Sequence, residues 1–175
     1  MSKEFKKNKI AISVGDMNGI GIELALKTHT TIKELCTPIY CINKKLLKKA
    51  ALKLKIKVPK DFKIHDTQGD FKIKSGQVSK KSGQFSYDSF MDAITLTKNK
   101  QTQALVTLPI NKEAWSKAGI TYKGHTEVLR DHFKQNAIMM LGCSKMFVAL
   151  YTEHIALKEV PKKIKSKQLT QFLID

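Results

Sequence analysis

A chain of 175 residues has room for one ordinary domain with a real core, or for one domain and part of a second. With 42% hydrophobic and 27% charged residues it is neither disordered nor fibrous, and no apolar run approaches the roughly 18 residues of a membrane span. The formal charge of +17 invites a nucleic-acid partner, but Arg130 is the only arginine among 32 basic residues, and lysine lacks the planar fork that grips guanine and phosphate. The lysines spread from Lys3 to Lys167, which favours a solvated surface over a dedicated patch. Met1 to Lys9 is polar and basic without a signal-peptide pattern. Cys36, Cys41 and Cys143 show neither a CxxC spacing nor a disulfide framework, so they are expected to be reduced and structural in a cytoplasmic protein.

Lys9 to Val14 (KIAISV) reads as a short buried strand closed by Gly15-Asp16, and a helix follows from Gly21 to Thr28. Pro38 to Asn43 is a second strand, and Lys44 to Lys55 has helical spacing in Leu47, Ala50, Ala51 and Leu54. Between Phe62 and Lys81 short alternating stretches, such as Phe71-Lys72-Ile73-Lys74, suit strands or an excursion at a sheet edge. Phe90, Ala93, Ile94 and Thr97 mark an amphipathic helix within Ser86 to Asn99. Ala104 to Thr107 then reads as a buried strand, and Lys112 to Ala118 as a short helix ending at Gly119. A further helix runs from near Thr126 to Phe133. Ile138 to Leu141 and Met146 to Tyr151 are the last strands, with Gly142 as the turn between them. Ser166 is placed as the N-cap of a final helix whose apolar face carries Leu169, Phe172 and Leu173 and which halts at Asp175 as if cut. The alternation of β and α elements predicts the α/β class, with a mostly parallel sheet and helices on both faces.

Four places could carry chemistry. Gly15 to Gly21 (GDMNGIG) lies between strand and helix, where glycines permit a tight turn and backbone N–H groups can meet an anion, although the glycines need do no more than make the turn. Val106 to Lys112 (VTLPINK) sits at the C-terminal end of a strand, where open α/β sheets put their ligand sites, and it also reads simply as a strand terminator followed by capping residues. In Gly124-His125-Thr126-Glu127 a capping box would account for Thr126 and an acidic first turn for Glu127, but neither accounts for the histidine. His154 follows an apolar strand. Among His29, His65, His125, His132 and His154 no complete metal-ligand spacing occurs.

Taken together, KIAISVGDMNGIGIELALK, SGQFSYDSFMDAI, ALVTLPINKEAWSKAGITYKGHTEVL and FVALYTEHIALKEVP resemble, in order and spacing, segments of the 4-hydroxythreonine-4-phosphate dehydrogenase family of vitamin B6 synthesis. The resemblance runs from about Lys9 to Asp175, and the specific part is GHTE after VTxPINK. It implies α/β/α layers similar to isocitrate and isopropylmalate dehydrogenases, with two domains in the full-length family. Residues 1–120 would then be part of the first domain and 121–175 the start of a second, dimer-forming one. It implies a homodimer, NAD or NADP as cofactor, and a divalent metal (Zn, Mg or Co). His125 and Thr126 become candidate substrate contacts and His154 a candidate metal ligand, with the family's other two metal histidines expected beyond Asp175. Three departures from the family pattern stand out: Met17-Asn18 for proline and a small residue, Leu108 for a small residue, and Glu153 for threonine before the histidine.

The reaction implied is oxidation of 4-phosphooxy-L-threonine followed by decarboxylation, without membrane or nucleic-acid partners, and no general base is identified. A chain that supplies one metal ligand is expected to be inactive alone. Three readings remain beside it: a related metal-dependent hydroxyacid dehydrogenase with another substrate, a basic nucleic-acid-binding module, and a non-catalytic structural unit.

Overall fold

A computed structural model describes residues 7–134 and 137–175; the first part of the polar opening segment lies outside them. The chain divides into two compact units, residues 1–123 and 124–175. Among the described residues no helix is long and apolar enough to cross a membrane.

The first unit is built on a parallel sheet. Strand β1 (Lys9–Ser13) leads through helix α1 (Gly21–Leu35) to β2 (Thr37–Cys41), and helix α2 (Lys44–Leu54) leads on to the short edge strand β3 (Lys63–His65). Helix α3 (Lys80–Lys98) then carries the chain back to β4 (Ala104–Thr107), which pairs with β1 on its other side. The order is β3-β2-β1-β4, and every neighbouring pair is parallel. A short helix α4 (Lys112–Lys117) follows, its first turn capped by Asn111, whose side chain accepts from Ala114 N–H at 2.9 Å.

Strand side chains alternate between faces, so the sheet buries two different cores. Ile12 and Tyr40 point to the face covered by α1 and α2, where Ile22, Leu26, Leu46 and Leu47 close the larger cluster. Ala11 and Cys41 point to the opposite face and meet Ala93 and Leu96 of α3. Helices on both faces follow, as the alternation of elements predicts. Ser89 of α3 fastens the carboxyl end of the sheet: its hydroxyl accepts from Val14 N–H at 3.0 Å and donates to the Cys41 carbonyl at 2.7 Å.

Several expectations need correction. Helix α1 runs a further two turns beyond Thr28, to Leu35, and α3 begins at Lys80, where Ser79 accepts from Ser82 N–H at 3.2 Å. Strand β4 is not buried: it is the sheet's outer strand on that side, and Val106 is 47% exposed. The alternation in Phe71 to Lys74 is real in burial, with Phe71 and Ile73 in the core and the two lysines outside, yet no strand forms there. Side chains replace the ladder: Lys49 and Lys53 donate to the carbonyls of Phe71 and Ile73, and Lys74 N–H donates to Asn18 Oδ1 at 2.8 Å.

The second unit begins with helix α5 (His125–Phe133) and continues with an antiparallel hairpin of β5 (Met139–Cys143) and β6 (Met146–Leu150). Gly142 lies inside β5, and the turn falls on Ser144-Lys145, so the strands meet through a two-residue loop. After a 3-10 turn (Leu157–Glu159) come the short helix α6 (Val160–Lys163) and helix α7 (Ser166–Ile174). Lys165, not Ser166, is the N-cap of α7, and no side chain caps it. Leu169 and Phe172 are half-buried, Phe172 packing edge-on against Tyr151, while Leu173 is exposed.

Candidate functional site

In a doubly wound sheet the crevice for ligands opens where successive connections leave a strand in opposite directions. Here the chain winds from β1 outward to β2 and β3 and then returns to β4, so that point lies between the carboxyl ends of β1 and β4. GDMNGIG and VTLPINK leave the sheet at this point and are locked together. Leu108 N–H donates to the Ser13 carbonyl at 3.0 Å, and Asp16 N–H donates to the Pro109 carbonyl at 2.9 Å. Gly15 adopts φ +68°, and a Cβ there would overlap the carbonyls of Leu108 and Pro109; at Gly21 it would overlap the Val14 carbonyl. Both glycines are therefore explained by the close approach of the protein's own backbone.

Asn18 is the hub of this loop. It is buried, its backbone N–H donates to Asp16 Oδ1 at 2.9 Å, and its amide donates to the Gln77 carbonyl at 2.7 Å. With Lys74 N–H on its Oδ1 and Gly76 N–H on its carbonyl, it clips the irregular segment before α3 onto the glycine loop. The departure Met17-Asn18 thus has a structural account, since Met17 is 1% exposed and packs in the larger core. Sequence reasoning noticed Asn18 only as an oddity; its partners lie some sixty residues away and leave no local signal.

The remaining candidate residues belong to the second unit. His125 opens α5 and Thr126 follows it, both half-buried. The N-cap is Gly124 and no side chain caps the helix, so capping does not account for Thr126. Asn111 of the first unit, by contrast, is fully explained as a cap. His154 is exposed on the segment after β6, and its backbone takes φ +56°, a left-handed conformation that few non-glycine residues adopt and that marks a position worth a functional reading.

Glu153 is largely buried and paired with Arg130. Its Oε1 accepts from the guanidinium of Arg130 on α5, which also donates to the Ala137 carbonyl at 3.0 Å. The segment that carries His154 is thereby tied to the helix that begins with His125 and Thr126. Glu153 Oε2 is buried with no hydrogen-bond partner among the described residues. A depression of about 490 Å³ lies here, lined by Arg130, Thr152, Glu153, Lys163, Gln168 and Gln171 among others. The only arginine of a lysine-rich chain, one turn after Thr126, is the signal that could have identified this brace.

Among the described residues no group of three or more His, Cys, Asp or Glu side chains could hold a metal ion. A catalytic divalent site takes about three protein ligands and an open position, so His154 alone does not fit the role of a complete metal centre.

The family model described as "Pyridoxal phosphate biosynthetic protein PdxA" matches residues 34–174. A 4-hydroxythreonine-4-phosphate dehydrogenase of Campylobacter fetus is 61% identical over 167 residues, covering 95% of this chain and 54% of that protein. One of Sulfurimonas denitrificans is 56% identical, covering 97% of this chain and 55% of that protein. The chain thus spans about half the length of the curated relatives it matches. A crystal structure of a 4-hydroxythreonine-4-phosphate dehydrogenase from Burkholderia phymatum superposes with a TM-score of 0.79 at 24% identity, over 95% of this chain and 56% of that one, which shows the fold.

Proposed function

The chain belongs to the PdxA family of pyridoxal phosphate biosynthetic proteins, and on that premise we propose that it supplies part of an NAD- or NADP-dependent 4-hydroxythreonine-4-phosphate dehydrogenase. The reaction is oxidation of the C3 hydroxyl of 4-phosphooxy-L-threonine to a ketone, giving 2-amino-3-oxo-4-phosphooxybutanoate. That β-keto acid loses CO₂ to yield 3-amino-2-oxopropyl phosphate. The observation that carries this reading is the placement of His125, Thr126 and His154 within one unit, with α5 and the His154 segment joined by Arg130 and Glu153.

His125 and Thr126 hold the substrate, a positioning role that sets the reacting C–H bond against the acceptor. The nicotinamide, when bound, accepts the hydride. His154 would contribute one imidazole toward a divalent ion (Zn, Mg or Co), whose remaining ligands would come from outside the described residues of this chain. The partner in this reading is a second copy of the full-length protein, which would cover the apolar hairpin β5–β6, where Met140, Leu141, Met146 and Phe147 are each more than half exposed. A cytoplasmic location accords with Cys36, Cys41 and Cys143 all being free thiols. Nucleic acid is not part of the reading: scattered lysines give weak binding that falls steeply with salt.

The test measures NADH formation and bound metal for residues 1–175 and for the chain continued to the length of its relatives, with His125→Ala and His154→Ala in the longer protein. The short chain is expected to show no turnover. His154→Ala should weaken metal binding roughly tenfold or more, since a direct ligand matters at least as much as the groups that orient ligands. His125→Ala should impair substrate handling and leave metal content intact. Turnover by the short chain, or normal metal content in His154→Ala, would overturn the assignment.

A further inference from the structure

Helix α2 and the segment after it form a feature unrelated to the site above. Residues 44–60 place a lysine at nearly every second position and contain no carboxylate. The helix uses these lysines in two ways. On one side Lys49 pairs with Asp70, and Lys53 Nζ donates to the Ile73 carbonyl at 3.2 Å, so both serve the fold. On the other side Lys44 and Lys48 stand four residues apart on one helical face, Lys55 follows seven residues later as the helix C-cap, with Lys57 beyond it, and all four are exposed and form no ion pair with a described residue.

Between these four ammonium groups runs a shallow groove of about 550 Å³ with an apolar floor of Leu47, Ala51, Ile56 and Val58. Leu52 stands at its side and is 70% exposed. Like charges held around an apolar surface repel one another and are relieved by carboxylates placed opposite them, while the floor accepts an apolar side chain. We propose that this groove is a docking surface for an acidic amphipathic peptide segment of a partner protein, one that sets a leucine-like side chain on the floor between carboxylates facing the lysines. Concavity favours a protruding side chain over a planar bilayer, which would gain only Leu52 as an inserted group. The lining contains no aromatic ring on which a base could stack, which disfavours a single-stranded nucleic acid.

The probe is a synthetic helical peptide with leucines four apart flanked by glutamates, and the control carries serines for the leucines at the same charge. Binding to residues 1–175 is read by fluorescence anisotropy and by amide shift perturbation. The leucine peptide should bind roughly tenfold or more tightly than the control, with shifts centred on residues 44–58. Leu52→Glu should remove that preference, and Lys48→Glu combined with Lys55→Glu should weaken both peptides. These side chains are exposed, and unchanged circular dichroism would show that each variant still folds. Equal binding of the two peptides, a preference that survives Leu52→Glu, or displacement of the peptide by duplex DNA or anionic phosphatidylglycerol vesicles at matched charge would overturn the proposal. So would self-association of the chain that Leu52→Glu abolishes.

Discussion

Two apolar strands of this chain meet opposite fates. In β1, Ala11, Ile12 and Ser13 are all buried, because the strand has a parallel neighbour on each side and helices over both faces. In β6 (MFVAL) the side chains are more apolar, yet Met146, Phe147 and Val148 are exposed, Phe147 by 67%. The difference between the two units is cover. Residues 1–123 surround their strands with α1, α2 and α3, whereas each strand of the hairpin in residues 124–175 has a single antiparallel neighbour and, among the described residues, no helix packed broadly across it. Among the described residues of the second unit, Val128 alone of the large apolar side chains is fully buried. A lone two-stranded hairpin is marginal in water, and among the described residues the apolar side chains of β5 and β6 are largely exposed. This is the physical support for the homodimer in the proposed function.

The most decisive way to break the contrast is to separate the units. Residues 1–123 should unfold cooperatively in urea, while residues 124–175 alone should show no cooperative transition by circular dichroism, since they lack a core that offsets chain entropy. A cooperative transition in the isolated second unit would erase the distinction.

A paired substitution sharpens it. Trp115 is 0% exposed and its indole N–H donates to Ser86 Oγ at 2.6 Å. Trp115→Ala should cost about 3–5 kcal/mol by chemical denaturation, whereas Phe147→Ala in the exposed hairpin should stay within about 0.5 kcal/mol. Comparable losses at the two positions would mean that the hairpin is covered within this chain after all.

Asn18→Ala should come next, at about 1–2 kcal/mol, because it removes the side-chain partner of the Lys74 N–H and of the Gln77 carbonyl, both in part-buried hydrogen bonds. Hydrogen exchange should quicken in residues 70–79 and leave the second unit unchanged. Protection that stays intact in 70–79 would show that this segment does not depend on Asn18.

The smallest effect is in pH dependence. Asp61 is held below its ordinary carboxylate value chiefly by its hydrogen bond with Lys33, and Asp70 chiefly by its hydrogen bond with Lys49. A depressed folded pKa means that the stabilisation is present above the ordinary value near 3.8 and is lost as pH falls through the lowered one. The first unit should therefore lose a little thermal stability below about pH 4, and Asp61→Asn with Asp70→Asn should flatten that acid limb by a small amount, since both pairs are solvent-exposed. An acid limb of unchanged slope in the double variant would place the effect elsewhere.

Local chemistry by itself determined much of this protein. Short apolar runs closed by glycine, amphipathic spacing in α2 and α3, and their alternation specified a parallel α/β sheet, because side-chain periodicity and turn residues act over a few neighbours. The segments around His125 and His154 were enough to point to the family. Tertiary structure alone decided what depends on distant neighbours. Val106 is exposed because β4 lies at a sheet edge, Phe71 and Ile73 are buried without a strand because lysines of α2 take up their carbonyls and Asn18 the N–H of Lys74, and Glu153 is paired with Arg130 on another element. Each of these outcomes turns on which groups the folded chain brings within hydrogen-bond reach, and no periodicity along the sequence encodes a partner twenty to sixty residues away.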